Sequence, residues 1–389
     1  MRLCLALACT CCWLALCAAP ACAAGMNPGF RTLGIWSPET QSRLDINVWY
    51  PSIRRPAEHI YTPWKITVSR NGKPCEGRYP LILLSHDAGG TRFSHHDTAA
   101  WLARLGFVVV APTHSHDSMD NMRDLFTLNQ LVRRARELKA ALDAALHDEQ
   151  TSECIDAARV GALGFGMGGT SLLLLGGALL SPDNWPHYCD AAHPHDAYCS
   201  AWAKPRVDAL VRQLPLQRSL ADVRVKAVCA VAPAYGMLFT RESLRYLYPP
   251  TTIIRAELPP RQLVDAEQPS TPTRRPDLTA GWHADRVREW MPTVPHFYHI
   301  PVDAPSLASC PAPVQASIHD YCGKADAKAR QAAHKQLNTE AANFFLRVLG
   351  GVDPLPVIPA PPDLTPPPPP PAPVPSTPPS KGQQRRNRR

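Results

Sequence analysis

The sequence GALGFGMGG, residues 161–169, joins the end of one apolar run to the start of another through a glycine-rich turn. This pattern predicts a buried strand that turns sharply into a helix, the setting in which Gly-x-Ser-x-Gly exposes a serine nucleophile. The central position here is Gly166, which has no side chain. The spacing for nucleophilic catalysis is therefore present without the group that would attack a carbonyl.

A second group of reactive side chains lies between residues 86 and 120. It contains the histidines and aspartates His86, His95, His96, His114, His116, Asp87, Asp97, Asp117 and Asp120. The apolar runs before them end at one rim of a predicted parallel sheet, where sites in α/β folds form. A zinc ion needs three or four converging ligands of these types. No ligand spacing here is diagnostic, and we predict no metal and no other cofactor.

Strand and helix patterns alternate around these residues. The buried strands are predicted in LDINVWYPS, YPLILLS, GFVVVAPTH, RVGALGF and VKAVCAV, and the helices in residues 98–104, 125–146 and 170–180. Runs of Val, Ile and Leu without polar alternation are typical of strands that are covered on both faces. The order predicts an α/β fold with a mostly parallel, doubly wound sheet.

The beginning of the chain has the layout of a secretory signal peptide. Residues 1–24 contain Arg2, then an apolar run, then small residues before the expected cleavage position. A lipid anchor at Cys22 is the alternative. No later apolar stretch is long enough to span a bilayer. We therefore expect an exported protein, either periplasmic or secreted, with a folded domain over residues 26–350.

The C-terminal residues 354–389 are rich in proline and end in a cluster of Lys and Arg. This composition predicts a disordered polyproline spacer with a cationic tip, which is suited to contact an anionic envelope surface. The tail and Arg2 carry most of the excess in the formal net charge of +8. Since the rest of the chain is nearly neutral, we predict no nucleic-acid partner. The oligomeric state cannot be read from the sequence.

Cysteine usage fits an oxidising compartment. Of the 13 cysteines, six lie in the leader and seven follow it. We predict short disulfide-closed loops between Cys189 and Cys199 and between Cys310 and Cys322, and more weakly a bond between Cys75 and Cys154. Cys229 then remains as a buried thiol.

From Phe30 to Phe345 the chain resembles the α/β-hydrolase family that groups dienelactone hydrolase-like proteins with platelet-activating factor acetylhydrolases. The resemblance is carried by five colinear blocks: VWYPS, LILLSHDAGGTRFSHHDTAAWLARLGFVVVAPTHSHDS, GALGFGMGG, VKAVCAVAPAYGMLF and CPAPVQASIHDYCGKADAKARQAAHKQLNTEAANFF. It implies an α/β-hydrolase fold and ester or lactone hydrolysis by a serine, a histidine and an acid.

The implied catalytic residues do not all carry over. The nucleophile position is Gly166, and the segment VDAPSLASC puts Asp303 at the position of the histidine. The acid is open between Ala232 and a later group that contains Glu257, Asp265 and Glu267, with Glu257 as the tentative choice. The resemblance also implies an oxyanion hole made by the N–H of Met167 and by that of Asp87 or Ala88.

An insertion at about residues 181–219 has the place and the cysteine pair of the family's cap. Its aromatic residues favour a binding role, and we expect Trp185 and Tyr188, with His86 and His114, to line a pocket.

Three hypotheses about the function remain open. The first is a catalytically impaired esterase that binds a small ester, a carboxylate or a partner. The second is an active hydrolase with a displaced nucleophile or a metal-activated water. The third is an envelope protein that acts through its tail.

Overall fold

A computed structural model describes residues 26–38, 41–190, 197–214, 219–256, 297–300, 307–312, 322 and 327–350. All of them belong to the first of two units, Met1–Pro356. Ten strands form one sheet in these residues: β1 (Asn27–Ser37), β2 (Ser42–Ser52), β3 (Ala57–Tyr61), β4 (Trp64–Arg70), β5 (Tyr79–Ser85), β6 (Val108–Pro112), β7 (Ile155–Phe165), β8 (Val225–Val231), β9 (Thr251–Ala256) and β10 (Phe297–Ile300). The helices are α1 (His96–Arg104), α2 (Leu128–His147), α3 (Met167–Leu175), α4 (Lys204–Val211), α5 (Arg241–Leu244) and α6 (Ala327–Leu349).

The sheet is mixed, with the order β10-β9-β8-β7-β5-β6-β2-β1-β4-β3. From β10 to β6 every neighbouring pair is parallel. β2 runs antiparallel to β6 and to β1, and β3 runs antiparallel to β4. The predicted fold class, an α/β fold with a mostly parallel, doubly wound sheet, is confirmed.

Helices cover both faces of the parallel half. On β5, Leu81 and Leu83 belong to a core cluster that includes residues of α2 and α3. Ile82 and Leu84, which alternate with them, belong to a second cluster that includes residues of α1 and α6. This division follows from the two-residue side-chain period of a strand. It explains why these strands lack polar alternation in the sequence.

The helix predicted over residues 170–180 has different bounds in the structure. It begins at Met167 and ends at Leu175. It ends early because Gly177 adopts a φ of +106°, a left-handed conformation that ends a helix and that glycine accepts without a steric penalty. The correction places the first turn of α3 directly after Gly166.

The described cysteines confirm two of the three predicted disulfides. Cys189 bonds to Cys199 and Cys310 to Cys322, with Cα–Cα distances of 5.4 Å and 5.7 Å. The third prediction is wrong, because Cys154 is a free buried thiol while Cys75 takes part in a disulfide with a different partner. The Cys154 thiol instead donates to the carbonyl of Thr151 over 3.0 Å. Cys229 is free and buried, as predicted.

None of the helices in the described ranges has the length and hydropathy that a membrane span requires.

Candidate active site

The turn between β7 and α3 has the backbone geometry of a nucleophile position without a nucleophile. Gly166 has φ 53° and ψ −117°, a region that costs a residue with a side chain about 1 to 3 kcal/mol. Two backbone bonds tie the turn to the neighbouring strand end: Gly166 N–H donates to Val231 O over 2.9 Å, and Ala234 N–H donates to Gly166 O over 3.1 Å. The turn is therefore held in this shape by bonds from outside it, and glycine adopts the shape without a steric penalty.

The side chain of Asp87 fills the space above Gly166. A Cβ added to Gly166 would overlap the Asp87 carboxylate, which reaches this point from the loop after β5. The carboxylate oxygen Oδ1 accepts the N–H of Met167 over 2.7 Å and the N–H of Ala88 over 2.7 Å. Asp87 is only 4% exposed. The N–H groups of Met167 and Ala88, both predicted as oxyanion donors, thus converge on a single point, and a carboxylate of the chain itself occupies that point.

The sequence predicts Asp87 or Ala88 as the second backbone donor beside Met167, and this choice stays a prediction. In the structure the N–H of Ala88 donates to the side chain of Asp87. The start of α3 favours this arrangement, because the first N–H groups of a helix have no partner inside the helix and carry partial positive charge.

The loop that carries Asp87 is anchored on both sides of that residue. The His86 ring accepts the N–H of His114 at Nε2 over 3.0 Å, which leaves Nδ1–H to donate to Asp87 O over 2.6 Å. Arg134 donates to the carbonyl of His86. On the other side, Gly89 N–H donates to Asp117 Oδ1 over 3.2 Å. The backbone donors are therefore positioned by contacts that do not involve the Asp87 carboxylate.

A comparison with known proteins adds to this geometry. Residues 68–180, which run from β4 past the turn at Gly166 to the end of α3, match the dienelactone hydrolase family. The order and direction of the strands, together with the sharp turn after β7, agree with that match. Over this segment the chain is similar to the dienelactone hydrolase family, whose members have the α/β-hydrolase fold.

Among solved structures, 642 chains match this chain significantly. One is a ferulic acid esterase from Streptomyces cinnamoneus, with 17% sequence identity over 85% of this chain and 92% of that chain and a TM-score of 0.47. A likeness of this size does not indicate a shared activity or substrate. No curated protein has a significantly similar sequence.

A serine, a histidine and a glutamate form a hydrogen-bonded chain beside the turn of this α/β-hydrolase-like protein. Ser85 Oγ lies 2.9 Å from His114 Nε2, and His114 Nδ1 lies 2.9 Å from Glu137 Oε2. Burial, followed by the charge of Arg134, lowers the pKa of His114, while burial raises the pKa of Glu137 to about 7. The distances resemble those of a catalytic triad, but Ser85 and His114 have no exposed surface. Ser85 is buried, and the chain of bonds connects the ends of β5 and β6 to α2.

The predicted pocket histidines are therefore structural. His86 is 2% exposed and both of its ring nitrogens are hydrogen-bonded, and the same holds for the fully buried His114. Burial, followed by the Arg134 charge, lowers the pKa of His86 well below its ordinary value. Neither ring is available to a ligand, and the prediction that they line a pocket is wrong.

The predicted aromatic pocket residues of the cap pack in the core. Trp185 and Tyr188 stack with ring centroids 5.9 Å apart and are 5% and 6% exposed. The indole N–H of Trp185 donates to Asp208 Oδ1 over 2.7 Å. A half-wet pocket needs accessible ring surface, which these residues do not offer. They attach the insertion to the fold instead.

Three buried polar residues near the site, Tyr235, Gln130 and Arg134, were missed from the sequence, whereas their partner Asp117 was among the candidates. Tyr235 donates to Gln130 Oε1 over 3.2 Å, and Gln130 donates to Asp117 Oδ2 over 2.9 Å. Asp117 also pairs with Arg134 over 2.5 Å, both side chains being 1% exposed. The one signal in the sequence was that polar residues within 125–146 stand at positions where the helical pattern predicts a buried, apolar face.

The structure describes only some of the remaining predicted site residues. Asp303 and Glu257 lie outside the described residues, so their roles stay predictions. Ala232, an alternative acid position, is buried with a φ of 42°. In the described part of the chain, no three His, Cys, Asp or Glu side chains come together as metal ligands.

Proposed function

We propose that this chain is an exported α/β-hydrolase-fold protein that has lost serine-type ester hydrolysis and binds a small carboxylate or ester ligand. The single observation behind the proposal is the position of Asp87. Its carboxylate occupies the space of the nucleophile and accepts both N–H groups that would stabilise an oxyanion. Hydrolysis by serine needs both a nucleophile and free donors.

The chemistry of the site supports carboxylate binding. Two backbone N–H groups, one of them at the start of α3, already hold a carboxylate oxygen over 2.7 Å each. Helix N-termini favour such anions. An ester carbonyl or a free carboxylate would use the same donors. The two backbone N–H groups that remain without a nucleophile therefore favour ligands with a carbonyl or carboxylate oxygen.

Export rests on the predicted signal peptide and on the disulfides. Cys189–Cys199 and Cys310–Cys322 are consistent with an oxidising compartment such as the periplasm or the cell exterior. Contact of the basic tail, residues 354–389, with an anionic envelope surface belongs to the same proposal.

The test is hydrolysis of p-nitrophenyl acetate and butyrate by the purified exported chain. We expect no turnover above that of the unfolded chain, and none from Gly166→Ser, because the new side chain overlaps Asp87. Gly166→Ser with Asp87→Gly and Asp303→His should gain activity, whereas Asp87→Gly alone, the matched control, should not. Turnover by the native chain would contradict the proposal. If Ser85→Ala abolished that turnover, the nucleophile would be Ser85.

A further inference from the structure

Three histidines and an aspartate lie together where α1 meets α6. His95 is the residue before α1, and His96 and Asp97 begin that helix. His334 comes from α6. The rings of His95 and His334 are stacked with centroids 6.1 Å apart, and His334 Nδ1 lies 3.8 Å from Asp97 Oδ2. These four residues form a histidine cluster, so the two helices meet through ionisable side chains at this end.

Within the histidine cluster, His95 is the side chain whose charge the fold disfavours most clearly. It is 3% exposed, and neither of its ring nitrogens has a hydrogen-bond partner among the described residues. Its ring stacks on Phe165, with centroids 3.5 Å apart. Burial, followed by the imidazoles of His334, His86 and His96, lowers the pKa of His95 well below its ordinary value. A proton on His95 therefore favours any state in which the ring is released into water.

The other charged groups around the cluster do not compensate a charge on His95. On α1, the carboxylate of Asp97 lies beside His334. On α6, Arg330 stands about one helical turn before His334 and adds positive charge to the same end of the helix. β7 contributes the apolar ring of Phe165. A charge on His95 is thus relieved only when the elements around the ring separate.

The two halves of α6 are attached to the fold by different contacts. In residues 327–336 only Ala333 and His334 are buried. In the rest of the helix most side chains are buried, and Phe344 and Phe345 belong to the apolar core cluster on this face of the sheet. The first half of α6 therefore depends on the histidine cluster, whereas the second half depends on apolar packing.

We propose that the histidine cluster is an acid-sensitive latch that releases residues 327–336 of α6 while the second half of the helix stays packed. The latch lies beside the candidate site, because Phe165, on which His95 stacks, is the residue before Gly166. The inference goes beyond the proposed function and does not depend on the proposed loss of catalysis, since it concerns how acid changes the structure next to the turn.

The size of the effect follows from proton linkage. A ring that stays neutral while it is buried, and that has the ordinary histidine pKa of about 6.5 once released, favours release about 30-fold more at pH 5.0 than at pH 7.5. This factor is the expected contribution of His95 alone.

The experiment is hydrogen exchange of the full native chain at pH 5.0 and pH 7.5, followed by mass spectrometry and corrected for the intrinsic pH dependence of amide exchange. Residues 327–336 should lose about 30-fold protection at pH 5.0, whereas the rest of α6 and α2, on the opposite face of the sheet, should change less than about threefold. His95→Phe keeps an aromatic ring against Phe165 without a titratable group and should abolish the loss. The control is His187→Gln, whose native ring is 87% exposed and whose replacement should leave the loss unchanged.

Three results would overturn the proposal: equal protection of residues 327–336 at the two pH values, an equal loss in α2, which indicates global unfolding, or a full loss in His95→Phe. Should His95→Phe fail to fold at pH 7.5, His95→Leu carries the same test. The comparison of α6 with α2 in the native chain needs no variant and decides the first two outcomes by itself.

Discussion

A side chain at position 166 should destabilise the protein mainly by expelling Asp87. In Gly166→Ala, the new Cβ would overlap the carboxylate, which must leave the N–H groups of Met167 and Ala88. A buried donor that loses its partner costs about 1 to 3 kcal/mol. The backbone at φ 53° and ψ −117° adds about 1 to 3 kcal/mol for alanine. We expect a total loss of about 2 to 6 kcal/mol.

A double-mutant cycle separates the two contributions. In an Asp87→Ala background the N–H groups have already lost their partner, so Gly166→Ala should cost only the backbone strain of about 1 to 3 kcal/mol. The coupling between the positions should therefore amount to about 1 to 3 kcal/mol, measured by urea unfolding of the four proteins at one pH. Additivity within about 0.5 kcal/mol would refute the claim that Asp87 occupies the nucleophile space.

Three further predictions concern the buried polar groups and the cap. His95 is buried, and neither of its ring nitrogens has a hydrogen-bond partner among the described residues. Burial and then the neighbouring histidines lower its pKa, so the folded state loses stability as the pH falls below the ordinary histidine value of 6.5. His95→Phe should raise the urea midpoint, more at pH 5 than at pH 7.5. Asp117→Asn should cost about 3 to 5 kcal/mol in urea unfolding, because Arg134 keeps its charge in a buried position. Replacing Cys189 and Cys199 by serine should cost about 3 kcal/mol, since the bond closes a loop with a sequence separation of 10.

Each of these predictions has a contradicting outcome. An unchanged pH dependence of unfolding in His95→Phe would show that this ring is hydrated or paired in solution. For Asp117→Asn, the control is Glu58→Gln, whose partner Lys65 is 67% exposed and whose replacement should cost less than about 1 kcal/mol. Equal effects of the two changes would contradict the buried pair. A serine variant as stable as the native chain would show that the Cys189–Cys199 loop is ordered without its bond.

The fold could be predicted because it is recorded in local patterns. The runs around Leu81, Val109 and Leu163 are apolar on both faces, and that feature alone identifies strands covered by helices on two sides. The glycine turn and the missing nucleophile at Gly166 were equally visible, since they depend only on residue type and spacing. The end of α3 was missed because an apolar run continues past the glycines that end the helix.

The side-chain chemistry of the site could not be predicted in the same way. Asp87 meets Met167 across a gap of 80 residues, and no periodicity indicates where one carboxylate will point. His114 looked like a ligand because histidines often are, but its partner Glu137 comes from the middle of a helix whose pattern is amphipathic. Whether a polar side chain binds a ligand or pairs inside the protein depends on its burial, and burial is known only once the fold is assembled.

The most direct test of the central claim is the intact mass of the purified native chain after exposure to a fluorophosphonate that reacts with activated serines. The account predicts an unmodified mass, because Gly166 has no side chain and Ser85 has no exposed surface. The triple variant Gly166→Ser, Asp87→Gly, Asp303→His should take up one phosphonyl group and serves as the positive control. A stoichiometric adduct on any serine of the native chain would contradict the account and would identify the nucleophile.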